Sequence, residues 1–227
     1  MKKKIVAFTL VIAMLAICFG ATLAYFTDAD AETNVFTVGS VKIDLIESQY
    51  QRVVHNKTDA EIKADAETYQ DEYLAVLGKD IMPGREINKA PYVVNTGKNA
   101  AYVRVRLLIP ADLFNPGGLH IMTTTTAVKE GAISNPVKVG TREIDGVTYN
   151  AYNFTYTEAL EPGEMTYWPA FWQFGLDTTC TQEFIAELME NGVITEDGLF
   201  NIIIEADAIQ AETFATAADA FAAFDAA

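Results

Sequence analysis

Histidine is the commonest general base and metal ligand near neutral pH, and this sequence holds two, His55 and His120. They are far apart, and neither has a ligand-type partner at metal-motif spacing. Both read as ordinary surface or loop residues. Acidic pairs are frequent: Asp28/Asp30, Asp71/Glu72, Glu196/Asp197 and Glu205/Asp207. Two acids hydrolyse a glycosidic bond only when they face each other across a cleft, and 31 acidic residues produce neighbouring pairs by chance. Calcium takes such oxygens too, but no EF-hand spacing is present. Trp168, Phe171 and Trp172 have the make-up of a sugar-stacking platform. The stronger expectation is that they fill a core, where aromatic side chains contribute most. There is no H-E-x-x-H, G-x-S-x-G, Walker or G-x-G-x-x-G motif. The residues therefore nominate no catalytic, cofactor-binding or metal site.

The composition narrows the partners. Half of the 227 residues are apolar, enough to build a core, and the formal charge is −15. Phosphate recognition relies on clustered Lys and Arg, so nucleic acid is not an expected partner. An anionic bilayer surface is disfavoured on the same grounds.

The N-terminus carries the most specific local signal. Lys2, Lys3 and Lys4 precede an apolar run from Ile5 to Leu23, and Thr22-Leu23-Ala24 closes it with small residues. This is the layout of a secretory signal peptide. Residues 1–24 are the expected signal, with cleavage between Ala24 and Tyr25. The rival is an uncleaved anchor, because the run approaches the roughly 20 residues needed to span a bilayer. No later apolar run is that long, so no stable membrane span is expected after cleavage. Removing the three lysines takes the formal charge to −18. Such a chain stays dispersed by self-repulsion, and salt should promote its self-association. Cys18 lies in the signal, which leaves Cys180 without an intramolecular disulfide partner.

Elements follow from periodicity and turn chemistry. Residues 25–34 are polar and acidic and read as a flexible arm. Val35 to Ile46 reads as a strand, with Val41, Ile43 and Leu45 alternating with Lys42 and Asp44. Thr58-Asp59-Ala60-Glu61 is a capping box. Behind it Ile62, Ala66, Tyr69, Tyr73 and Val76/Leu77 recur at helical spacing up to Gly78. Strands are expected at Pro91–Val94, Ala101–Ile109, Ile121–Val128, Ile133–Val139, Thr148–Tyr156, Met165–Leu176 and Leu199–Ala211. Pro83-Gly84, Asn95-Thr96-Gly97, Asp145-Gly146 and Pro162-Gly163 mark turns, and Asp145-Gly146 is the sharpest hairpin signal. Glu183–Glu190 reads as a short helix, and Ala217–Phe224 as either a helix or a frayed tail. Short strands with two helical insertions and no β-α-β repeat point to a mainly β sandwich in one domain, residues 25–227.

One stretch is more specific. Ala21-Thr-Leu-Ala-Tyr-Phe-Thr-Asp28, an acidic spacer, and Asn34-Val-Phe-Thr-Val-Gly-Ser-Val-Lys-Ile-Asp-Leu45 resemble the start of the TasA/camelysin family of exported bacterial proteins. Pro83-Gly84, Asn95-Thr96-Gly97, Pro162-Gly163-Glu164 and Glu205-Ala-Asp-Ala-Ile-Gln210 look similar as well. The resemblance implies a jelly roll of two antiparallel sheets and processing by a dedicated signal peptidase, SipW. It implies secretion to the extracellular matrix or cell surface. TasA-like members form biofilm fibres, while camelysin-like members are classed as surface metalloendopeptidases, for which zinc would be the cofactor. The unassigned metal site and base put the fibre role first. The expected mechanism is self-association into filaments by strand donation. The freed arm leaves its own fold and completes a neighbour's sheet, with Val35, Phe36, Val38, Val41, Ile43 and Leu45 as the assembly strand.

Overall fold

The computed structural model describes residues 41–74, 76 and 81–226. Among them the protein is mainly β, with antiparallel sheets and few helices. In chain order come β1 (Ile43–Ser48), α1 (Arg52–His55), α2 (Asp59–Thr68), β2 (Glu86–Asn88), β3 (Ala90–Asn95), β4 (Ala101–Pro110) and β5 (Leu119–Thr123). Then follow α3 (Thr125–Lys129), β6 (Val137–Ile144), β7 (Val147–Thr155), β8 (Phe171–Leu176), α4 (Gln182–Glu190), β9 (Ile203–Gln210) and α5 (Ala217–Asp225).

One four-stranded sheet runs β6-β7-β4-β9, and two smaller sheets run β1-β3 and β2-β8-β5. The smaller two are joined by backbone bonds outside the regular ladders. Asn95 N–H donates to Glu164 O (2.9 Å), Thr166 N–H to Val93 O (2.9 Å) and Lys89 N–H to Trp172 O (2.9 Å). Residues 164–172 thus run alongside β3 before becoming β8, and β2 and β3 act as one strand interrupted at Lys89.

The main core joins the two groups of strands. Val103, Val105, Leu107 and Ile109 of β4 and Phe154 of β7 share it with Ile87, Val93, Phe171, Phe174 and Leu119. The alternation of apolar residues along β4 is what aims this row inward. Asp145 and Gly146, with φ of 51° and 82°, make the two-residue turn between β6 and β7. Two positive φ values are what a type I′ hairpin turn requires.

Helix α2 starts as its sequence dictates. Thr58 accepts from Glu61 N–H, and Glu61 accepts from Thr58 N–H. Those bonds hold the Glu61 carboxyl down at about 2, with the Thr58 backbone N–H first among the causes. From Tyr69 to Leu74 the helix widens into a π turn. The expected stop at Gly78 lies outside the described residues. Tyr69 and Tyr73 stack at 5.5 Å and bracket the backbone of Asn88. Tyr69 O–H donates to Asn88 O (3.0 Å), and Asn88 N–H donates to Tyr73 Oη (3.1 Å). Ile62 packs with Ala90, Tyr92, Val94 and Met165 in a second cluster.

Several expected strand bounds need correction. The described part of the first strand begins at Ile43, and residues 35–40 lie outside the described residues. The expected Ile121–Val128 strand ends at Thr123. Thr124 O–H then donates to Pro169 O (2.8 Å) and the Thr-rich run becomes α3, so tertiary contacts override β propensity. In the Ile133–Val139 stretch only Ile133 bridges, to Tyr156, before β6 opens behind Pro136, which has no N–H for a ladder. The Met165–Leu176 strand is regular only from Phe171, after Pro169. The last strand starts at Ile203 rather than Leu199. Residues 217–225 are a helix, capped by Thr216, whose side chain accepts from Asp219 N–H.

Candidate functional site

The chemistry-bearing residues proposed from the sequence have defined places, apart from Asp28 and Asp30, which lie outside the described residues. His120 on β5 and Glu86 on β2 both face Gly175 of β8, which lies between them. A Cβ at Gly175 would come within 2.6 Å of Arg85 O and 2.9 Å of Glu86 Oε2. Glycine therefore leaves the gap across which His120 Nε2 meets Glu86 Oε1 at 2.6 Å. His55 Nδ1 lies 3.0 Å from the Gln51 N–H, with its ring between Tyr50 and Trp172. Zinc needs three or four N, S or O donors converging at about 2.0–2.3 Å. Among the described residues no three His, Cys, Asp or Glu side chains converge, so the donor set does not fit zinc there.

The acidic pairs separate as well. Asp71/Glu72 and Glu196/Asp197 are exposed. Glu205 and Asp207 of β9 lie on one face, bound to arginines. Arg142 holds Glu205 through contacts of 2.6 and 3.1 Å, and Arg106 bonds Asp207 at 3.0 Å. Arg142 hydrogen bonding pulls the Glu205 carboxyl below its usual range. A glycosidase acid needs a shift in the other direction. Trp168 and Phe171 belong to the main core, and Trp172 packs on the second cluster, so the three aromatics share no surface. Cys180 lines a cleft of about 570 Å³ beside α4 with Leu176, Ile185 and Met189. Burial pushes its thiol upward, away from nucleophilic thiolate.

The β6-β7-β4-β9 sheet carries a feature that the sequence did not reveal. Arg104 lies on the face of β4 opposite the apolar row of Val103, Val105 and Leu107, where alternation predicts exposure, yet it is 1% exposed. Helix α5 covers it. Arg104 Nε and Nη2 bond Asp207 Oδ2 at 3.0 and 2.7 Å, and Nη1 and Nη2 bond Asp225 at 2.8 Å each. The Phe221 and Phe224 ring centroids lie 4.4 and 5.5 Å from the guanidinium. Burial opposes its charge, but the bonds to Asp225 and Asp207 outweigh that and keep its pKa high. Arginine's planar fork suits this double clamp.

For assembly, the relevant parts are the first strand and the sheet edges. Ile43 and Leu45 lie in β1, opposite Asn95 and Val93 of β3. Both are partly buried against the main core, whereas Ile46 packs on the second cluster. Val41 precedes the strand and is half-buried. Val35, Phe36 and Val38, like Ala24 and Tyr25 at the expected cleavage point, lie outside the described residues. Among the described residues β1 pairs only with β3, at a sheet edge. No helix among the described residues is long and apolar enough to cross a membrane.

Comparison with protein-family models gives no match, and a search of curated proteins gives none either.

Proposed function

We propose that the protein is a secreted structural component of the extracellular or biofilm matrix, related to the TasA/camelysin proteins. After signal cleavage it assembles into fibres by N-terminal strand donation. The observation that carries this reading is the place of β1. Among the described residues β1 is an edge strand, bonded to β3 alone. In this reading the segment that precedes β1 pairs with the sheet of a neighbouring copy. Strand donation is head-to-tail and does not close on itself, so it yields filaments.

We also take the fold to be a jelly roll. With β2 and β3 counted as one strand, the pairings β2/β3 with β8 and β4 with β7 nest in the way that fold requires. β1 and β6 depart from the pattern. β1 joins β3 and β6 joins β7, each at a sheet edge.

The test is negative-stain electron microscopy of residues 25–227, beside the same chain lacking residues 25–38. Filaments from the first and folded monomers from the second are expected, with unchanged circular dichroism. Filaments from both would reject strand donation.

A further inference from the structure

The geometry points to the outer edge of β6 as the acceptor for the arm of a second copy of this chain. This rests on the strand-donation reading and names the surface it leaves open. The edges differ in what they offer. The backbone of β2 at Asn88 is engaged by Tyr69 and Tyr73. β1 carries Asp44 and Glu47, and β9 carries Glu205 and Asp207. The arm's Asp28, Asp30 and Glu32 would meet exposed Asp44 on β1; on β9 both acids are already paired with arginines, and none of that strand's residues is exposed. β5 has only five residues.

β6 combines length, exposure and sign. It has eight residues, of which all but Ile144 are exposed, and among the described residues it pairs only with β7. Val137 and Val139 are 56% and 52% exposed, an uncommon use of large apolar residues on an edge. Arg142 is taken up by Glu205, so the cation that β6 offers is Lys138, beside the exposed valines. The arm matches both properties. Asp28, Asp30 and Glu32 alternate, so an extended arm aligns them on one face, and Val35, Phe36 and Val38 follow. At about 3.3 Å per residue, residues 25–38 reach roughly 46 Å, well beyond the roughly 27 Å of an eight-residue strand. The neighbour's backbone then supplies the ladder bonds that β6 lacks on that side among the described residues, while the valines set register and Lys138 supplies the matching sign.

Cysteine pairing identifies the acceptor. In the processed chain with Cys180→Ser, Thr37→Cys is combined in turn with Val139→Cys on β6, Met122→Cys on β5, Asp44→Cys on β1 or Gln210→Cys on β9. Each is oxidised under assembly conditions and run on a non-reducing gel. The Val139→Cys pair is expected to give a ladder of covalent multimers, and either cysteine alone none beyond dimer. Lys138→Glu is expected to raise the concentration needed for assembly severalfold without lowering the monomer's melting temperature. Filaments whose ladder comes from another edge, or that give no ladder, overturn the β6 assignment and leave donation standing. A chain that never self-associates overturns both.

Discussion

Replacing Arg104 with methionine removes the clamp between the sheet and α5 while keeping most of the side chain's apolar volume. Arg104 makes four contacts of 2.7–3.0 Å to Asp207 and Asp225 and lies under two phenylalanine rings. Breaking a buried pair from one side costs about 3–5 kcal/mol when the abandoned charge stays buried. Here the penalty is smaller. Asp207 keeps Arg106 at 3.0 Å, and the Asp225 side chain is 53% exposed, so water takes over much of its solvation. Loss of the ring contacts adds about 0.5–2 kcal/mol. Arg104→Met should therefore cost roughly 2–4 kcal/mol, or about 4–16 °C in melting temperature for a chain of this size. Asp225→Asn, at the exposed end, should cost less than about 1 kcal/mol. Urea denaturation of both variants, followed by far-ultraviolet circular dichroism, measures the difference. If Arg104→Met leaves the midpoint where it was, or Asp225→Asn lowers it equally, the clamp does not hold α5 as described.

Other expectations concern single positions. Gly175→Ala should cost about 1–3 kcal/mol in denaturant, because its Cβ meets Arg85 O at 2.6 Å; an unchanged midpoint would contradict the close approach. Thr58→Ala removes the cap of α2 and should cost about 1 kcal/mol, whereas Thr58→Ser should cost little. Equal loss in both would show that the cap is not the cause. The pH dependence has a definite sign. Arg142 bonding to Glu205, and Arg104 bonding to Asp225, depress those carboxyls in the folded state. Their contribution is present above the ordinary carboxylate range and is lost as pH falls through it toward the depressed folded values. The melting temperature should decline below about pH 5, and Glu205→Gln should flatten the decline. An identical slope in that variant would assign acid sensitivity to other groups.

Local chemistry made much of the fold legible. Thr58 and Glu61 announce their helix because the capping bonds involve residues three apart. Asp145-Gly146 announces its hairpin because few residues tolerate positive φ in succession. The apolar row of β4 is readable as a period of two. Arg104 was not legible. Its position on the opposite face predicts exposure, and only a helix more than 100 residues later buries it. The Thr-rich stretch after β5 misled for a similar reason, since Thr124 is committed to Pro169 across the fold. The contact of His120 with Glu86 was likewise hidden, because strand order brings both to Gly175 and sequence spacing cannot. The contrast between exposed β6 and the acid-bearing β1 and β9 needed the sheet order as well.

Analytical ultracentrifugation of residues 25–227 across a salt series puts the fibre account to its most direct trial. Growing polymers are expected as salt screens the charge of −18 that remains once the three lysines of residues 1–24 are removed, with sedimentation reverting to monomer when residues 25–38 are deleted. A monomer at every concentration and ionic strength, with the arm present, would contradict it.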